Sequence, residues 1–123
     1  MNLALWIVQT ALGAVFALAG VMKTTQPREA LAKNLPWVED VSTGTLRLIG
    51  ATELAGAAGL ILPAVTGIAT WLTPLAACGL ASIMVLAAIT HARRKEPGAI
   101  AVNTALLALA ALVAWGRFGP YSF

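Results

Sequence analysis

Charge is scarce in this chain. Of its 123 residues only 11% are Asp, Glu, Lys or Arg, whereas soluble domains carry about 25%. So few charges cannot clothe a water-facing surface, so lipid is expected to be the solvent for most of it. Cysteine is nearly absent. Cys78 stands alone, which excludes a disulfide scaffold and dithiol chemistry of the CxxC kind. Histidine is single too, as His91, and no second His or Cys lies at ligand spacing, so no metal site is expected. The chain holds no haem-attachment pair and no nucleotide-binding glycine loop. No cofactor is therefore evident, and any electron transfer would need a bound quinone or a partner subunit. The net charge of +3 is spread over short segments and forms no tract for nucleic acid.

What remains is apolar. Hydrophobic residues make up 59% of the chain, and the mean hydropathy is +0.84. A spanning helix needs about 20 mostly apolar residues. Residues 3–22, 45–62, 70–90 and 98–116 fit, so residues 1–123 read as one all-α domain, an integral membrane four-helix bundle. The links 63–69 and 91–98 are short, which makes their flanking helices antiparallel neighbours. The first span carries a cleavage-like Ala17-Leu18-Ala19. It has no basic segment ahead of it and its apolar run is too long for a signal peptide, so it is expected to stay.

Lys and Arg placement gives an orientation. The first loop holds Lys23, Arg28 and Lys33, with Arg47 at the edge of the second span. The third loop holds Arg93, Arg94 and Lys95, and the opposite face has only Arg117. Loops one and three are thus expected in the cytoplasm and both termini outside. Trp6, Trp71 and Trp115 fall at the outer ends, where interfacial tryptophan belongs. Within the first loop, residues 27–34 open with Pro27 and continue with helix formers, and Trp37 follows as an anchor. This reads as a short helix in the inner interface, with a solvated loop as the alternative.

Ionisable groups inside a span are costly and normally face the bundle interior. Placed by depth, each span contributes one polar group to the cytoplasmic half: Lys23, Glu53, His91 and Asn103. The outer half is expected to be far poorer in such groups. Glu53 can accept from Lys23, Arg47, His91 or Asn103, and Gly50, Gly56 and Ala57 beside it permit close backbone approach. Each residue also has a structural reading. Glu53 serves as a clamp between helices, His91 caps a helix end, Lys23 snorkels, and Asn103 makes an interhelical hydrogen bond. Arg93, Arg94 and Lys95 serve as a topology signal and headgroup contact. Cys78 reads as a small packing residue.

The order and spacing of several motifs are similar to those of a known family. They are Gly20 with Lys23, then Leu35-Pro36-Trp37, then Arg47-Leu48-Ile49-Gly50-Ala51-Thr52-Glu53-Leu54-Ala55-Gly56. After these come Gly59-Leu60-Ile61-Leu62-Pro63, Trp71-Leu72-Thr73-Pro74, His91, and Pro97 with Asn103. Across nearly its whole length the chain resembles the DoxX-like proteins, small four-helix membrane proteins. The family is named for a membrane subunit of a thiosulfate:quinone oxidoreductase, and some relatives act as membrane chaperones or as partners of redox enzymes. The resemblance implies the fold more than the function. Its polar positions fall on Lys23, Arg47, Glu53, His91 and Asn103.

Three functions follow as expectations. In the first, a quinone or other apolar small molecule enters between helices in a redox-linked role. Lys23, Arg47 and Asn103 bind it, and Glu53 and His91 move protons. In the second, the bundle is a scaffold or chaperone-like subunit that docks a membrane or soluble enzyme through its basic loops. In the third, it is a proton-coupled carrier, which requires a homo-oligomer formed through the Gly13, Ala17 and Gly20 face. Substituting Glu53 separates the first two: loss of ligand binding in a folded protein, or loss of stability.

Overall fold

The computed structural model describes residues 2–33 and 35–122. In chain order the elements are α1 (Asn2–Thr25), α2 (Arg28–Ala32), a 3-10 turn (Pro36–Asp40), α3 (Thr43–Thr66), α4 (Leu72–Arg93) and α5 (Pro97–Phe118). Among the described residues, four helices are long and apolar enough to cross a membrane: α1, α3, α4 and α5. They run up and down. One end of the bundle carries residues 26–42 and the 94–96 link, and is called the basic end below. The other carries the start of α1, the end of α5 and the 67–71 link, and is called the terminal end.

Burial is arranged as lipid requires. The interior is a column of apolar side chains, with Leu12 and Phe16 of α1, Leu60 of α3, Leu80 and Met84 of α4, and Val113 of α5. The outside is equally apolar, with Leu3, Leu18, Leu48, Ile68 and Leu86 exposed. The larger polar side chains Gln9, Glu53, Asn103 and Arg117 sit inside instead, while exposed Thr52, Ser82 and Thr104 bond carbonyls of their own helices. The helix α1 packs chiefly on α3, and α4 on α5. The α3–α4 contact joins the two pairs, and α1 meets α5 least.

The helix α3 is longer than the 45–62 read from hydropathy, at both ends. Ser42 extends its start, since its Oγ accepts from Thr45 N at 3.1 Å and so satisfies a donor that the first turn leaves open. At the far end α3 runs through Pro63 to Thr66. A proline inside a helix removes one hydrogen bond and crowds the carbonyl four residues earlier, here Gly59. Thr73 Oγ1 of α4 donates to that Gly59 carbonyl at 2.9 Å, so the proline is tolerated. Gly67, in the left-handed region at φ 72°, then closes the helix with its N–H on Pro63 O.

The first loop forms a shorter helix than residues 27–34 promised. Pro27 stands before the first turn, and α2 ends at Ala32; Asn34 lies outside the described residues. Pro36 stops any further helix by driving Leu35 out of the helical region, to φ −127°. The loop is nonetheless fixed. Leu31 and Val38 are buried with Leu46 of α3. The Arg28 guanidinium donates to the carbonyls of Val38, Glu39 and Val41.

Candidate functional site

Two glycines set the site. A Cβ at Gly20 would lie 2.8 Å from Gly50 O, and one at Gly50 would lie 2.8 Å from Lys23 Cβ. Here α1 and α3 touch backbone to backbone, as small residues allow in membrane bundles. Gly13 serves the same contact further up, facing Ile61 of α3. The Gly13 and Gly20 face proposed for a carrier oligomer is thus spent within the bundle.

That close approach carries Lys23, in the last turn of α1, alongside Glu53. Lys23 Nζ donates to Glu53 Oε1 at 2.6 Å, and Glu53 is only 2% exposed. A carboxylate so deep demands a paired cation and a good hydrogen bond, and Lys23 supplies both. The ammonium also lies 5.4 Å from the centroid of the Trp37 ring, so the loop aromatic covers its other side. Arg47 does not reach Glu53. Its Nη1 donates to Lys23 O at 2.8 Å and to Gln26 O at 2.7 Å. Lys23 O lies in the last turn of α1 and Gln26 O just past its end, where the helix supplies no partner, so Arg47 caps α1 from α3.

On the α4 and α5 side, His91 Nδ1 donates to Glu96 Oε1 at 2.9 Å, across the tight link between the helices. Asn103 lies on the inner face of α5. It is 9% exposed, and its Nδ2 is buried with no hydrogen-bond partner among the described residues. A buried, unmet donor costs about 1–3 kcal/mol and calls for an explanation.

Space lies in front of it. A cavity of about 410 Å³ fills the basic end between the two helix pairs, roofed by Leu35, Trp37 and Val41 of the loop. Its polar lining is Lys23, Thr90, His91 and Asn103; the rest is apolar, with Ile49, Met84 and Val102 among the walls. Lys23, His91 and Asn103 therefore meet at one cavity, as depth along the sequence suggested. Glu53 stands behind Lys23 and Arg47 above it, and neither lines the cavity. The cavity presents an ammonium and an amide, with the imidazole edge of His91 beside them. It suits a molecule with acceptor oxygens on an apolar body.

The terminal end holds a second polar cluster, contrary to the expectation that the outer half is poor in such groups. Gln9 is 0% exposed and Arg117 is 3% exposed. Gln9 Nε2 donates to Leu60 O at 2.8 Å, and Gln9 Oε1 accepts from Arg117 Nε at 2.9 Å. Arg117 Nη1 donates further to Asn2 Oδ1 and to Tyr121 O. Its guanidinium lies 5.6 Å from the Trp6 ring centroid. The sequence assigns Gln9 no role and counts Arg117 only toward orientation. The recoverable signal is the spacing Leu5, Gln9, Leu12, Phe16, which puts Gln9 on the buried stripe of α1.

No curated protein and no solved structure matches the chain. The family model described as DoxX-like matches residues 7–113. That stretch contains Lys23, Glu53, His91 and Asn103 and nearly all of the four spans, and the chain belongs to the DoxX-like family.

Proposed function

We propose that the cavity at the basic end receives the carbonyl head of an apolar small molecule, a quinone by chemistry and size, in a redox-linked role at the membrane. The observation that carries this reading is Asn103. Asn103 lines the cavity, its amide nitrogen is buried with no partner among the described residues, and a quinone carbonyl reached by a small turn of the side chain is the acceptor it lacks. Lys23 offers a donor to a further ligand oxygen, and His91 lines the same cavity with its Nδ1–H given to Glu96. The volume of about 410 Å³ falls within the usual range of small-molecule pockets. His91 touches both the cavity and Glu96 at the bundle end, so it can pass a proton between water and ligand. Electrons come from a partner protein in this reading, because the sequence carries no electron-transfer motif. The basic end faces the cytoplasm, a placement supported by the Lys and Arg distribution.

The test is gentle purification followed by mass spectrometry of the organic extract. The parent should retain a quinone, and Asn103→Leu should lose it. A parent extract free of quinone, together with no thermal shift on adding one, would overturn the reading. A second reading is a membrane subunit that docks a partner. It draws on Arg93 and Lys95, both exposed at the same end. Reversing those two charges should then release a co-purifying protein.

A further inference from the structure

A second space adjoins the cavity at its apolar wall. An open groove of about 520 Å³ runs along the outer seam of α3 and α4, and Ile83 lines both spaces. On α3 the junction is equally direct. Ile49 lines the cavity and Thr52 lines the groove, one turn apart on the same helix face. From Ile83 the groove reaches Leu72, about three turns or about 16 Å along α4. Its floor is made of small residues, among them Gly56, Gly59, Ala76 and Gly79, and its rims are Leu62 and Leu75.

These small residues do two different jobs. Gly56 and Gly59 are packing glycines, since a Cβ there would lie 2.6 Å from Leu80 Cδ2 or from Ala76 Cβ. Gly79 is not: a Cβ there meets nothing within 4 Å. The helices need no glycine at that position to approach each other, and the space above it is open.

We propose that the groove holds the tail of the same molecule whose head occupies the cavity, so that the site is built for a quinone with a long apolar chain. This inference rests on the quinone reading of the cavity. Three observations join the two spaces into one site: the shared wall at Ile83, the donors gathered at only one end, and the unmet Asn103 amide at that end. A head placed against Asn103 would send its tail past Ile83 into the groove and on toward the terminal end. Bulk lipid also offers such a tail an apolar medium. The groove therefore contributes by close van der Waals packing rather than by removal from water.

The test compares two probes in one nanodisc preparation. One is the tail-less dimethoxy-methyl-benzoquinone, and the other is the same head bearing a decyl chain. Comparing each variant with the parent, probe by probe, cancels partition into the lipid. Gly79→Phe fills the groove at a position where no atom obstructs it, and Ala55→Leu narrows the opposite wall. The account expects Gly79→Phe to weaken the decyl probe about tenfold and leave the tail-less probe unchanged, with Ala55→Leu acting in the same sense. Asn103→Leu should weaken both probes. If Gly79→Phe and Ala55→Leu alter neither probe, or alter both equally, the groove is not the tail site, while the cavity reading stands. If either groove variant changes the oligomeric state, the groove is a contact between copies and the tail assignment fails. If Asn103→Leu alters neither probe, the cavity reading itself fails.

Discussion

Two buried carboxamides, Gln9 and Asn103, sit in opposite halves of the same bundle. Gln9 spends both of its polar atoms on protein, one on Leu60 O and one on Arg117 Nε. Asn103 lines a cavity and leaves its buried amide nitrogen without a partner among the described residues. The first arrangement ties three helices together, and nothing about it requires a ligand. The second costs stability as it stands, and a bound acceptor would recover that cost. Both are carboxamides and both are buried, so burial and polarity alone do not separate a knot from a site. The fate of each hydrogen-bonding atom can.

Lys23 and Glu53 stand between these extremes. The pair is tied like the Gln9 cluster, yet Lys23 also lines the cavity. The largest expected effect belongs here. Glu53→Leu leaves the Lys23 ammonium in an apolar wall without its counter-charge and should cost about 3 kcal/mol of stability. The double variant Lys23→Met with Glu53→Leu should recover most of that loss, because removing both charges relieves the burial penalty. A double-mutant cycle on unfolding in detergent reads this coupling. Near-additive losses would show that the pair is not the clamp described.

Next in size is Gln9→Leu. It strips Leu60 O and Arg117 Nε of the partner that Gln9 provides, and should cost about 2 kcal/mol without altering ligand affinity. A change in quinone binding with stability intact would reverse the comparison. Smaller again is Thr73→Val, which exposes the Gly59 carbonyl freed by Pro63. A loss of about 1 kcal/mol is expected. Replacing Pro63 with Ala in the same chain should abolish that sensitivity, since the helix then satisfies Gly59 itself.

Much of this was legible in the sequence, and particular residues show why. Hydropathy located the four spans because lipid imposes one requirement on every exposed side chain. Depth along each span brought Lys23, His91 and Asn103 to one level, and they line one cavity. Depth fails for what it ignores, which is the angle around the helix. Glu53 is at the right level but points behind Lys23, and Arg47 turns to the end of α1. Gln9 and Arg117 are 108 residues apart in sequence. They meet only because the terminal ends of the first and last helices are neighbours in this bundle. The ends of α3 were misread because Ser42 and Thr73 act through single hydrogen bonds, which composition does not register. The groove beside Gly79 was invisible, since a packing glycine and an open one look alike in sequence.

The most direct measurement is the paired stability and quinone affinity of Asn103→Leu, made on one preparation in nanodiscs. An unmet donor contributes nothing to the empty fold, so the variant should unfold at or above the parent's midpoint. It should nonetheless bind the decyl-benzoquinone probe about tenfold more weakly than the parent. A variant that is clearly destabilised while binding the probe as tightly as the parent would contradict the account, and would place Asn103 with Gln9 as a tie between helices.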